Sequence, residues 1–194
     1  MRLHFSFLGL LLFASLACNA PDNNVVNCEF DQEAMLTNYA DEIIIPRFEN
    51  FDLGITLLES SFTAFVANPT AGLLNEVRIA FGTTYLGCQR CSMFGFGPAL
   101  INGESFRARF NTFPTNTTLI DQSIAANTPV ANCPNSAVGF PALDYLLFGT
   151  AGTTDSEMVT LFTTDADASK RVAFVTELIS ELKNTQTAIV QGWM

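Results

Sequence analysis

The sequence predicts an all-α protein folded as an antiparallel helical bundle. Apolar residues recur at steps of three and four over long stretches, which is the spacing of one face of a helix. Glycine, proline and capping residues punctuate these stretches, and no segment shows the alternation expected of a half-buried strand. Together these patterns favour helices joined by short connections, hence antiparallel neighbours.

The first long helical segment carries a continuous apolar stripe. Asp31 is a suitable N-cap before it, and Asn68-Pro69 ends it. Pro46 lacks a backbone N–H and should kink the segment or divide it in two. The stripe consists of Ile44, Phe48, Phe51, Ile55, Leu58, Phe62 and Phe65.

A second helix is predicted to run to about Met93. Gly82 and Gly87 should each weaken it by about 1 kcal/mol relative to alanine. Gly95 and Gly97-Pro98 then stop the helix. Its apolar face is formed by Leu74, Val77, Phe81, Cys88 and Cys91.

Residues 95–138 form an irregular middle, rich in Asn, Thr, Pro and Gly. We expect short helices around 104–110 and 120–126 and a loop over 127–137. Connections this long inside a domain are usually functional or mobile.

Regular structure resumes at Phe140. Pro141 suits the start of a short helix that Gly149 ends, and Thr154 with Glu157 has the spacing of a capping box for a helix through Phe162. The last helix is predicted to start near Asp165. Its apolar positions are Val172, Val175, Ile179, Leu182, Ile189 and Trp193. Because this helix is still periodic at residue 193, with no stop signal, we expect the chain to be a fragment.

The N-terminus resembles an export signal, which divides the chain into residues 1–17 as signal peptide, 18–29 as a tether and 30–194 as the helical domain. Arg2 precedes the apolar run Phe5 to Phe13, which is too short to span a bilayer. Cys18 follows small residues, as in lipoproteins that are cleaved and acylated at cysteine. The alternative is a simple secretory signal cut near the same position. The predicted location is the cell envelope, either as an outer-membrane lipoprotein bound to the membrane through acylated Cys18 or in the periplasm.

Charge and histidine content exclude several classes of function. The net charge is −10, which opposes binding to nucleic acid. The one histidine, His4, lies in the signal segment. The mature chain therefore has no imidazole for Ser-His-Asp or Cys-His catalysis, for histidine-ligated zinc or for an HExxH site.

Four cysteines follow Cys18. Cys88 and Cys91 form a CxxC pair, which we place in mid-helix without the strand-to-helix context of a redox motif. The pattern favours buried thiols or one disulfide, and a four-thiolate zinc site would require all four: Cys28, Cys88, Cys91 and Cys133.

Four segments in order resemble the imelysin family, also called the iron-regulated protein A family. They are residues 36–46 (LTNYADEIIIP), 94–99 (FGFGPA), 110–114 (FNTFP) and 139–149 (GFPALDYLLFG). The resemblance implies an all-α fold of two related bundles, of which this chain holds the first. It also implies an exported protein linked to iron or other metal-ion acquisition, and the family carries a peptidase label.

The family motif is GxHxxE, in which histidine and glutamate are proposed metal ligands. The matching positions here are Gly139, Pro141 and Asp144, so that proline replaces the histidine and a shorter carboxylate replaces the glutamate. Residues three apart on a helix are neighbours, so Pro141 and Asp144 should share one face.

Three hypotheses follow, and the first is a non-catalytic binding or accessory protein of metal-ion uptake. With only oxygen donors and thiols available, the ion would be ferric iron, calcium or another oxygen-coordinated cation. The candidate ligands are Asp144, Asp41 and Glu42. The competing interpretations are a solvated helix face for Asp41 and Glu42, and helix N-terminal electrostatics for Asp144.

The second hypothesis is a metal-dependent peptidase of the imelysin type, which the missing histidine opposes. The third is an interaction bundle, or a truncated product, whose last helix leaves Val175, Ile179 and Leu182 exposed for a partner. Tyr39, Phe96 and Tyr145 are either pocket-lining residues or, more simply, core.

Overall fold

The computed structural model describes residues 30–194. The predicted signal peptide, the tether, Cys18 and Cys28 lie outside this range. Contacts assign the described residues 30–34 to a first unit and residues 35–194 to a second, compact unit. Within the first unit, Asp31 accepts a hydrogen bond from the backbone N–H of Ala34 at 2.9 Å, so its predicted capping role is confirmed.

The predicted break at Pro46 takes the form of a π-helical turn. Helix α1 covers Gln32–Tyr39, the π turn covers Ala40–Ile44, and α2 covers Ile45–Ala67. The N–H of Ile45 bonds back to the Ala40 carbonyl, and Pro46 then occupies the first turn of α2. The wider turn places the proline where a helix needs no N–H donor, so the chain changes helix type without a loop.

The second long helix, α3, covers Ala71–Cys91 and is capped by the Thr70 hydroxyl, which accepts from the N–H of Leu73 at 3.2 Å. The CxxC pair therefore lies in the last turn of a helix, and its placement in mid-helix was wrong. Short 3₁₀ turns at Ser92–Phe94 and Gly97–Ala99 follow.

The irregular middle contains a small hairpin that the sequence pattern did not predict. Strands β1 (Leu100–Ile101) and β2 (Glu104–Ser105) pair antiparallel, with Leu100 opposite Ser105. Two residues per strand are too few to show alternation, which is why no periodic signal exists. Helix α4 (Arg107–Phe110) and helix α5 (Thr117–Ala125) follow, and 3₁₀ turns cover Val130–Asn132 and Asn135–Ala137.

Three further helices complete the chain. Helix α6 covers Gly139–Phe148, α7 covers Asp155–Thr163 and α8 covers Ala168–Trp193. The predicted capping box is confirmed, because Thr154 and Glu157 exchange bonds between their side chains and backbone N–H groups. No helix among the described residues has the length and apolarity required to cross a membrane.

The bundle is built around α2, with α3 and α8 both antiparallel to it. Gly54 of α2 faces Thr84 of α3, and Phe51 faces Gly87. Along α8, Lys183 pairs with Asp52 at 2.7 Å, and Gln186 bonds to the Phe48 carbonyl. The residue numbers of these pairs run in opposite directions along the paired helices, so the predicted all-α antiparallel bundle is confirmed.

The two predicted apolar stripes meet in this core. Every residue of the first stripe, from Ile44 at the end of the π turn to Phe65 in α2, is buried. Val175, Ile179 and Leu182 of α8 are also buried, so the expectation that they form an exposed stripe was wrong. Gln186, the polar interruption in α8, is fully buried and donates from Nε2 to the Phe48 carbonyl at 2.7 Å.

Gly82 and Gly87 of α3 differ in their surroundings, and we expect alanine to have a different effect at each. A Cβ on Gly87 would lie 3.4 Å from Phe51, whereas a Cβ on Gly82 would meet nothing within 4 Å. We expect Gly82→Ala to raise the free energy of unfolding by about 0.5–1 kcal/mol, because it removes backbone entropy from the unfolded chain. Urea denaturation measures this difference, and Gly87→Ala serves as the matched control with less or no gain. Equal gains in both variants would contradict this account of the α2–α3 contact.

Candidate functional site

The turn that begins α6 requires glycine. Gly139 has φ +76°, and a Cβ at this position would lie 2.4 Å from the Phe110 carbonyl oxygen and 2.7 Å from that of Arg109. No side chain fits between this backbone and the end of α4. The glycine of the family motif therefore has a steric cause in this chain.

Pro141 and Asp144 share one face of α6, as their spacing predicts, and both line the same surface cleft. Pro141 is in the first turn, where the N–H groups have no partner within the helix, so the ring costs no helical hydrogen bond. Asp144 is in the second turn. Its interpretation as a residue that stabilises the helix N-terminus was therefore wrong, because α6 has no acidic residue in its first turn.

The cleft next to Asp144 has a volume of about 330 Å³. Its lining combines aromatic and polar residues. The aromatic and apolar members are Phe81, Tyr85, Phe113, Phe140 and Pro141, and the polar members are Asn111, Thr115 and Asp144.

Three aromatic rings of the cleft lining pack against one another. The Tyr85 ring lies nearly parallel to the Phe81 ring, with the two centroids 6.0 Å apart. Its centroid lies 5.2 Å from that of the Phe140 ring. Phe81 and Phe140 are buried, whereas Tyr85 is half-buried and Phe113 is 84% exposed. The accessible aromatic surface therefore belongs to Tyr85 and Phe113.

The polar lining residues include one hydrogen-bonded pair and one carboxylate without a partner. The Tyr85 hydroxyl donates to Asn111 Oδ1 at 3.1 Å. Asp144 has no hydrogen-bond or ion-pair partner among the described side chains. Asp144 is exposed at the surface of the cleft, and partial desolvation by the lining raises the pKa of its carboxyl above the usual value, since the group loses some solvent without gaining a partner.

The other candidate ligands lie apart from this cleft. Asp41 and Glu42 are exposed in the π turn before α2. Within residues 30–194, no group of three or more His, Cys, Asp or Glu side chains is placed to hold a metal ion. Asp144, Asp41 and Glu42 therefore do not form the predicted metal site in this structure.

The donor set of the cleft does not fit iron or calcium. Such ions take about six or more oxygen ligands, usually with several carboxylates. Here one carboxylate, one amide oxygen and two hydroxyls are available, and the Thr115 hydroxyl donates to the Ser136 carbonyl at 2.9 Å. Pro141 offers no donor atom where the family motif has histidine.

The described cysteines are buried thiols, which was one of the two alternatives predicted; the other was a disulfide. Cys88, Cys91 and Cys133 are each unpaired within the described part of the chain. Burial raises the pKa of Cys91 to about 12 and that of Cys88 further, so both remain protonated at neutral pH.

The three aromatic residues named as pocket candidates do not meet. Tyr39 packs edge-on against Phe94, and Phe96 packs against Trp193. Tyr145 donates its hydroxyl to Asp121 at 2.8 Å. Sequence reasoning missed Tyr85, Asn111 and Phe113 as cleft residues. The segment 110–114, which resembles the family, was the available signal for the last two.

The fold and the cleft define an all-α protein with a single-carboxylate site on a glycine-initiated helix. The imelysin family model matches residues 44–194, so the chain belongs to the imelysin family. The protein described as iron-regulated protein A of Synechococcus elongatus (strain ATCC 33912 / PCC 7942 / FACHB-805) is 29% identical over 147 residues. That match covers 72% of this chain and 39% of the relative, so this chain spans about two fifths of the relative's length. The comparison with solved structures gave no match.

Proposed function

We propose that this protein is a cell-envelope lipoprotein with a non-catalytic binding role in iron or other metal-ion acquisition. The observation that carries the non-catalytic binding role is the cleft at the family motif, which keeps one carboxylate, Asp144, and has Pro141 where the family motif has a histidine that is proposed as a metal ligand. Membership in the imelysin family and the name of the iron-regulated relative support the link to iron.

The non-catalytic part of the proposal rests on the titratable groups that line the cleft. They are Asp144 and the Tyr85 phenol, so the lining lacks the second carboxylate or imidazole with which Asp144 could form an acid–base pair. No imidazole follows His4, and the thiols of Cys88 and Cys91 are protonated. A metallopeptidase also needs several ligands with one position left for water, and this lining does not supply them.

The envelope location rests on the N-terminal sequence. Arg2 and the apolar run before Cys18 favour export, and Cys18 is the proposed acylation site. A membrane anchor of this kind would hold the acidic domain at the membrane surface through the polar segment 18–29.

The role in iron acquisition is tested in the organism that encodes this chain. Deletion of the gene is expected to lower cell iron, measured by mass spectrometry, and to slow growth in iron-chelated medium. The wild-type gene should restore both, whereas Cys18→Ser should not, because the protein loses its anchor. Growth in iron-replete medium is the control. Unchanged cell iron and growth after deletion would refute the role.

The non-catalytic assignment has its own measurement. We expect the purified protein to leave unfolded protein substrates intact with zinc, iron or calcium added. Hydrolysis that is abolished by Asp144→Ala would establish the peptidase alternative instead.

A further inference from the structure

We infer that the cleft at Asp144 binds a small substituted ammonium compound, an organic cation, in place of a metal ion. The inference rests on the proposed binding function and names the ligand class of the same site. It follows from the mismatch between the cleft's donor atoms and a metal ion, together with the aromatic surface described above.

The charge of the cleft selects a cation. Asp144 is the one ionisable carboxylate in the lining, and no lysine or arginine lines the cleft to neutralise it. The chain as a whole carries a net charge of −10, which raises the local concentration of cations at its surface. A bound cation would give the partly desolvated carboxylate the partner that the described side chains do not provide.

The lining selects an organic cation over an inorganic one. A metal ion requires several oxygen donors, whereas a substituted ammonium group requires one carboxylate and accessible aromatic faces. Phe113 and the half-buried Tyr85 provide accessible aromatic surface, and the buried rings of Phe81 and Phe140 complete the apolar lining. The volume of about 330 Å³ lies within the range of small-molecule sites.

A second cleft provides the matched control. It has a volume of about 270 Å³ and is lined by Glu59, Phe62 and Thr63 of α2 with Thr176 and Ile179 of α8. It also combines one carboxylate with apolar surface, but Phe62 is buried there and no aromatic residue is exposed. Glu59→Gln therefore removes the same charge from the protein without touching the proposed site.

The experiment is calorimetric titration of the purified protein with choline and with 3,3-dimethyl-1-butanol, its uncharged analogue of the same shape. We expect saturable choline binding in the millimolar range and at least tenfold weaker binding of the analogue. Asp144→Asn should weaken choline binding at least tenfold, Phe113→Leu should weaken it severalfold, and Glu59→Gln should leave it unchanged. Thermal unfolding confirms that each variant is folded, and the comparison of the two probes on the unchanged protein needs no variant.

Two results would overturn the inference. One is equal affinity for the two probes, because the charge of the ligand would then play no part. Absence of binding of either probe would likewise contradict the proposed ligand class. The other is saturable binding of ferric citrate or calcium that depends on Asp144 and displaces choline, which would make the cleft a metal site. Neither result touches the growth and cell-iron measurements, so failure of the ligand class and failure of the proposed function remain distinguishable.

Discussion

Gly139→Ala is expected to lower the free energy of unfolding by about 2–5 kcal/mol. A side chain in the left-handed region costs about 1–2 kcal/mol, and forcing atoms into a filled space costs about 1–3 kcal/mol more. Both terms apply here, because Gly139 has φ +76° and its Cβ would lie 2.4 Å from the Phe110 carbonyl oxygen. Urea denaturation followed by circular dichroism measures the loss.

Gly103→Ala separates the two terms. Gly103 has φ +85°, but a Cβ there would meet nothing within 4 Å. This variant should therefore show the backbone term alone, about 1–2 kcal/mol. If Gly139→Ala cost no more than Gly103→Ala, the close approach of α4 to the start of α6 would not be the reason for glycine in the motif.

The long helices could be predicted from sequence because periodicity reports burial directly. The stripe from Ile44 to Phe65 is apolar at each step of three or four, and each member is buried. Local signals at the ends were equally reliable, since the Thr154–Glu157 box and the Gly149 stop are made within one turn of chain. These features depend on neighbours in sequence, so a single sequence contains them.

Features that depend on tertiary contacts could not be predicted in the same way. The hairpin Leu100–Ser105 is too short for a period, and the π turn before Pro46 satisfies the proline in a manner that the sequence leaves open. The exposure of Val175 and Ile179 was predicted wrongly because an apolar stripe does not show which helix covers it; here α2 does.

The candidate site was predictable only along α6. The motif spacing placed Pro141 and Asp144 on one face, and the structure confirms this. The rest of the cleft comes from α3 and from the segment after α4, whose cleft residues all lie at least 26 residues before Pro141 in sequence. Nothing in the spacing of Tyr85 relative to Asp144 indicates that they meet. The grouping of Asp41 and Glu42 with Asp144 failed for the same reason, since it required a helix contact that periodicity cannot supply.

Arg109→Ala is expected to lower the free energy of unfolding by about 2–4 kcal/mol, because this arginine holds the irregular middle of the chain to α8. Its Nε and Nη2 donate to the two carboxylate oxygens of Glu181 at 2.5 and 3.0 Å. Its remaining donors reach the backbone carbonyls of Val130 and Cys133 at 2.8 and 2.7 Å. Removal of one partner of a partly buried pair leaves the carboxylate and both carbonyls with lost hydrogen bonds, which costs far more than an exposed pair is worth.

The exposed pair Lys170–Asp167, with its charged atoms 2.9 Å apart, is the matched comparison. Lys170 Nζ also donates to the Ala125 carbonyl at 2.8 Å, but this bond is exposed as well. Lys170→Ala should therefore cost about 0.2–1 kcal/mol, as is typical for ion pairs in solvent. Hydrogen exchange locates the effect: Arg109→Ala should deprotect amides within 127–137 more than those of α2, because the guanidinium holds the Val130 and Cys133 carbonyls of that segment. If both variants lost the same stability, or if protection fell evenly along the chain, the segment would be held by its own turns and by Val130 packing, and not by the guanidinium of Arg109.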